Sequence, residues 1–111
     1  MGVVADERVH REMSLALHAA VAGRLLGDAD MVLRALARVD AWLPRSGASA
    51  PLLHRWREIL KRPAEEIGRF LTDESEDADW LRKASPFAGE LPPRERERIL
   101  RDVRRRVGSA D

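Results

Sequence analysis

The chain has 111 residues, enough for one domain with one modest core, since a chain of this size buries roughly 65% of the surface its unfolded form exposes. Lys+Arg 20 against Asp+Glu 19 leaves a net charge of +1, yet charged residues are 35% of the chain, above the roughly 25% of ordinary domains, and Arg far outnumbers Lys. The absence of cysteine excludes a disulfide framework, Cys-ligated zinc and a thiol nucleophile.

The chain opens without the look of a secretory leader, because Asp6, Glu7 and Arg8 follow a very short apolar start. No apolar run approaches the roughly 18 residues that a membrane span needs, so the expected address is cytoplasmic. Val9, Met13, Leu17, Val21 and Leu25 recur at helical spacing and predict a first helix over about Asp6 to Leu26. Gly23 inside it suggests a close helix contact, because Gly costs roughly 1 kcal/mol there relative to Ala. Gly27 then serves as a C-cap and Asp28 as the next N-cap, a short junction that favours a helical hairpin.

The second helix, about Asp30 to Leu43, presents Val32, Leu36, Val39 and Leu43, with Met31, Leu33 and Trp42 beside that stripe. Pro44 ends it, Arg45 to Ala50 forms a loop, and Ser49 with Pro51 reads as the cap and first turn of a third helix over Pro51 to Arg62. Leu52, Leu53, Trp56, Ile59 and Leu60 are its core candidates. Pro63 separates it from a fourth helix, Ala64 to Leu71, and Ser75 caps a short fifth helix holding Trp80, Leu81 and Ala84. A last helix runs from about Pro92 to Val107, with Ile99, Leu100, Val103 and Val107 as its apolar stripe. Apolar spacing nowhere settles to period two, so no strand is predicted. The expected fold is all-α, a single domain over 1–111 forming a compact bundle of five to six short amphipathic helices.

Charge is unevenly laid out. Basic residues stand against acidic ones 10 to 7 over residues 1–62, 3 to 8 over 63–93 and 7 to 4 over 94–111. Such asymmetry bears on partner choice more than on fold. His10 and His18 lie two turns apart, too far for a bidentate metal pair, and His54 stands alone, so all three read as structural. The acids Asp73, Glu74, Glu76, Asp77 and Asp79 lack the Gly and spaced Glu of a calcium loop, and capping around Ser75 accounts for most of them. No metal or other cofactor is expected. No GxSxG, phosphate-binding Gly loop or framed pair of carboxylates is present, so the expectation is no catalytic activity.

The binding signal is the last helix. Arg94, Arg98, Arg101, Arg104 and Arg105 surround its apolar stripe and are the candidate partner-binding residues. Glu97 with Arg101 and Arg98 with Asp102 are spaced for pairs that would neutralise part of this charge. The uncompensated remainder, Arg104 to Arg106, could meet an acidic protein groove or DNA phosphates. Ahead of this helix, Trp80, Leu81 and Phe87 are expected to staple a loop to the core, while Pro92 and Pro93 aim the helix.

The run LHAAVAGRLLGDADMVLRALARVDAWL, a helix with a central RW, and SEDADWLRKASPFAGELPPRERERIL together resemble a small bacterial family of all-helical, antitoxin-like proteins from toxin–antitoxin operons. The likeness spans about Leu15 to Leu100 and is sharpest in RKASPFAGELPPRER, which is similar to the family's RQSSPFAGVLSPRER type of ending. Glu90 and Pro92 depart from that ending, and Pro92 removes a hydroxyl N-cap that Pro93 partly offsets. The resemblance implies a protein-binding module that neutralises a toxin from the same operon, with a nucleotidyltransferase-like or nuclease toxin as the partner. The alternatives are a DNA-associated transcriptional regulator using the arginine helix, and a domain that only homodimerises.

Overall fold

The computed structural model describes residues 3–109, with side chains described for 7–108. The chain ends, including the start of the segment read for a leader, lie outside the described residues. Six helices follow one another: α1 (Val3–Leu25), α2 (Ala29–Trp42), α3 (Ala50–Ile59), α4 (Ala64–Leu71), α5 (Glu76–Arg82) and α6 (Pro93–Ser109). Two single 3₁₀ turns, Leu43–Arg45 and Gly47–Ser49, join α2 to α3. Among the described residues there is no strand, and the fold is an all-α bundle. Among the described residues no helix is long and apolar enough to cross a membrane.

Each boundary has a local cause. Pro63 cannot continue α3 and opens α4, where Glu66 and Ile67 donate to its carbonyl. The Ser75 hydroxyl accepts from the Ala78 N–H at 3.2 Å, satisfying one of the orphan donors at the start of α5. Pro93 begins α6 and Arg96 N–H donates to the Pro92 carbonyl at 3.0 Å, so the first turn closes without a side-chain cap. Two expected caps are not made. Asp28 directs a carboxylate oxygen to Arg34 at 3.0 Å, and Ser49 already lies in a 3₁₀ turn that leads straight into α3.

The first two helices touch across their short junction, but each packs more on later elements than on the other. α1 packs most broadly on α6 and α4, whereas α2 lies mainly on α3. The longest helix is therefore the spine that later elements cover. On α2 the deepest residues are Met31, Ala35 and Val39, spaced by four, so its buried stripe is centred to one side of the expected one. Leu33 and Trp42 fall outside it and remain exposed.

Trp56 of α3 lies at the centre of the core with no exposed surface. Its indole N–H donates to the Leu81 carbonyl at 2.7 Å, at the end of α5. Phe70 and Phe87 approach it edge-on, each at 6.0 Å between ring centroids. One side chain thus ties α3, α4, α5 and the loop before α6. The close helix approach lies at Gly68 rather than Gly23. A Cβ at Gly68 would meet Ala22 Cβ at 3.7 Å, whereas nothing stands within 4 Å of a Cβ at Gly23.

Two stability changes follow. Phe87→Ala removes a buried ring and is expected to cost about 3–5 kcal/mol in urea unfolding, and a change well under 1 kcal/mol would mean the loop is undocked. Gly23→Ala meets no obstacle in a helix and should stabilise the protein by about 0.5–1 kcal/mol, whereas destabilisation would reveal a contact at that face.

Candidate functional site

The segment from Lys83 to Pro92 crosses from α5 to α6 and is anchored from both flanks. Phe87 and Leu91 bury their side chains in the core. Gly89 takes a φ of +88°, a left-handed conformation that suits glycine and reverses the chain. Glu90 follows, its carboxylate only 4% exposed and held by Arg34 at 2.8 Å and Arg38 at 2.6 Å, both from α2. Arg38 also donates to the Pro86 carbonyl at 2.9 Å. Glu90 is therefore the loop's electrostatic anchor. Hydrogen bonds from Arg34, and secondarily from Arg38, hold its carboxyl below the ordinary carboxylate range against the opposing effect of burial.

On the α1 side, the buried His18 bridges its own helix to the loop. Its Nδ1 lies 2.7 Å from the Ser14 carbonyl, which can only accept, so Nδ1 carries the proton. Nε2 is then left to accept from the Ser85 hydroxyl at 2.7 Å. Ser85 Oγ also accepts from the Phe87 N–H at 3.1 Å. The Ser–His distance is that of a nucleophile and its base, but the nearest backbone N–H is already committed to the hydroxyl rather than free for an oxyanion. The pair bridges α1 to the loop. Burial pushes the His18 pKa below its ordinary 6.5, and the nearby Arg82 charge acts in the same sense.

Arg82, its side chain 1% exposed, donates to the Leu71 carbonyl at 3.2 Å and pairs with Asp79. Asp79 also receives Arg11 of α1 at 2.8 Å, so these charges join α1, α4 and α5. Arg55 and Asp77 form a two-pronged pair at 2.6 and 2.7 Å between α3 and α5. Asp73 accepts from the Ser75 N–H at 3.0 Å. Much of the acidic cluster therefore serves caps and interhelical ties. Among the described residues no three His, Asp or Glu converge as a metal site.

Trp80 is not part of the loop anchor. It is 54% exposed, because Ala78, Leu81 and Arg82 occupy the inner face of the short α5 and Trp80 projects from the opposite side. Lys83 Nζ lies 4.4 Å from its ring centroid. Leu81 is fully buried; Pro92 and Pro93 are exposed at the entrance to α6.

The arginines of α6 separate into groups once the helix is docked. At about 100° per residue, Arg94, Arg98, Arg101 and Arg105 lie within an arc of about 60° and along about 16 Å of axis. All four are exposed, opposite the buried Val103. Arg104 is also exposed but projects from a different side of the helix. Neither expected pair on α6, Glu97 with Arg101 or Arg98 with Asp102, is formed. Among the described residues, the ion pairs of α6 are Glu95 with Arg24 and Arg106 with Glu12 at 3.9 Å, both to α1.

Arg34, Arg38, Glu90, Ser85, His18 and Arg82 were not singled out as anchors from the sequence. The signal for the first three was present: two arginines four apart on α2 share a face, and a lone acid in a Pro/Gly-rich loop suits them. Compared with known proteins, the chain matches no family model, no curated protein and no solved structure.

Stability should fall with acidity in two windows. His18 is neutral when folded but protonates near pH 6.5 when unfolded, so its contribution is complete above pH 6.5 and shrinks as the pH drops below it. Glu90 contributes fully above its ordinary 4.5, and that stability is lost as the pH falls through its lower folded value. In urea melts at several pH values, His18→Gln should flatten the decline between pH 7 and 5 and leave the decline below pH 4.5 in place. An unaltered upper decline would show that His18 does not carry it.

Proposed function

We propose that the protein is a non-catalytic, antitoxin-like module that binds a protein partner through the outer face of α6. The observation that carries this reading is the row of Arg94, Arg98, Arg101 and Arg105, exposed and without ion pairs among the described residues, on a helix whose remaining charges are partly used on α1. Glu97 and Asp102 flank the row without closing onto it, so their offset of its field is incomplete. Guanidinium groups in a fixed row suit bidentate capture of carboxylates, and Arg is enriched in interface hot spots. The back of α6 is buried against α1, so a partner would meet a rigid edge rather than a mobile tail.

The resemblance of the SPFAGELPPRER block supplies the partner class: a toxin from the same operon, nucleotidyltransferase-like or a nuclease, met in the cytoplasm. The same row could touch phosphates, which makes duplex DNA the competing target. Co-expression of the complete operon followed by pull-down separates the two. The expected result is co-purification of the neighbouring gene product, at least about tenfold weaker binding for Arg101→Glu/Arg105→Glu, equivalent to ~1.4 kcal/mol, and an unchanged circular dichroism spectrum. Recovery of the protein alone, from cells indifferent to its deletion, would sink the antitoxin reading. Duplex binding at physiological salt that falls steeply as salt rises would transfer the arginine row to DNA.

A further inference from the structure

A cleft of about 350 Å³ opens between α1, the Lys83–Pro92 loop and the first turns of α6. Its apolar surface includes Met13, Leu17, Leu91 and Leu100. The five titratable side chains around it, His10, His18, Arg82, Lys83 and Arg96, are all bases. Two of them are already engaged, His18 with Ser85 and Arg82 with Asp79. Lys83 and Arg96 are exposed and take part in no ion pair among the described residues.

Arg96 is the unusual one. It precedes Leu100, Val103 and Val107 at spacings of four, seven and eleven, so it continues the core-facing stripe of α6. A cation at such a position ordinarily meets an acid. The other inward-turned charges here do: Glu95 with Arg24, Glu90 with Arg34 and Arg38, and Arg82 with Asp79. Arg96 instead opens onto the cleft. An adjoining cleft shares His10, Ser14, Arg82 and Lys83 and contains Glu7, Glu76 and Asp79, but Arg96 does not line it. The end of the first cleft marked by Arg96 is thus the end away from those acids.

We infer that this cleft is a binding site for a small amphipathic carboxylate, its apolar body on Met13, Leu17 and Leu100 and its headgroup on Arg96. Binding sites for small molecules are mostly apolar concavities of about 300–1,000 Å³ with a few convergent polar groups, and a guanidinium is the side chain best shaped to hold a carboxylate in two bonds. The site is separate from the outer arginine row, and this inference does not depend on the toxin partner.

The test is a titration of the ¹⁵N-labelled full chain at neutral pH with octanoate, octanol and acetate, followed by amide shifts. Saturable shifts at Ser14, Ala88, Gly89 and Leu100 are expected with octanoate, and binding at least tenfold weaker with octanol, which lacks the charge, and with acetate, which lacks the apolar body. Arg96→Glu, at an exposed position, should weaken octanoate at least tenfold with a dispersed spectrum retained, and Arg96→Lys, which keeps the charge but not the two-bond fork, should weaken it less. Equal binding of octanol, non-saturating shifts, or undiminished binding by Arg96→Glu would overturn the site. A peptide ending in leucine with a free carboxylate, bound more tightly than octanoate and lost on amidation, would overturn the small acid in favour of a protein C-terminus.

Discussion

The fold depends on the burial of the Trp56 indole. A small all-helical chain with wide charged faces has little apolar surface to spare, and one large ring touching four elements concentrates what there is. Its N–H must find an acceptor once water is excluded, and the Leu81 carbonyl at 2.7 Å supplies one. That bond fixes the end of α5, and the end of α5 sets where the loop to α6 begins. Phe87 then returns from the loop to the same ring. Displacing the indole would therefore loosen α3, α5 and the approach to α6 together.

Around this apolar centre, charge has two separate roles. Pairs such as Glu90 with Arg34 and Arg38, or Asp79 with Arg11, run between elements and are partly screened from water. They contribute position more than net stability, since desolvation offsets much of the attraction while loss of one member strands the other. The outer arginines of α6 have no such task. A surface row in water contributes little to folding, which leaves its field available to a partner.

The cleft beside Arg96 lies between these two regimes. It exists because the loop is pinned at Phe87, Glu90 and Ser85 rather than collapsed onto α1. The ties that make the loop rigid also hold the cleft open. The two proposed binding surfaces use different sides of α6, one facing outward and one facing the loop, so one helix can serve two ligands without direct competition.

Six helices, their breaks and most of their inner faces were legible in the chain, because proline placement, the Ser75 cap and apolar spacing are local features with local consequences. Leu81 and Phe87 were named among the loop residues for the same reason, and both are buried. The errors share one physical origin. Trp80 carries as much apolar area as any residue here, but a seven-residue helix has room for one inner face, and Ala78, Leu81 and Arg82 occupy it. The short Gly27–Asp28 junction brings α1 and α2 into contact, and only the tertiary structure shows that α1 buries more surface against α4 and α6. Local sequence thus determined what each segment is and where it stops. Which faces meet, which tryptophan is central and which arginines are left without a partner were decided only in the tertiary structure, because they depend on competition among distant residues for one small core.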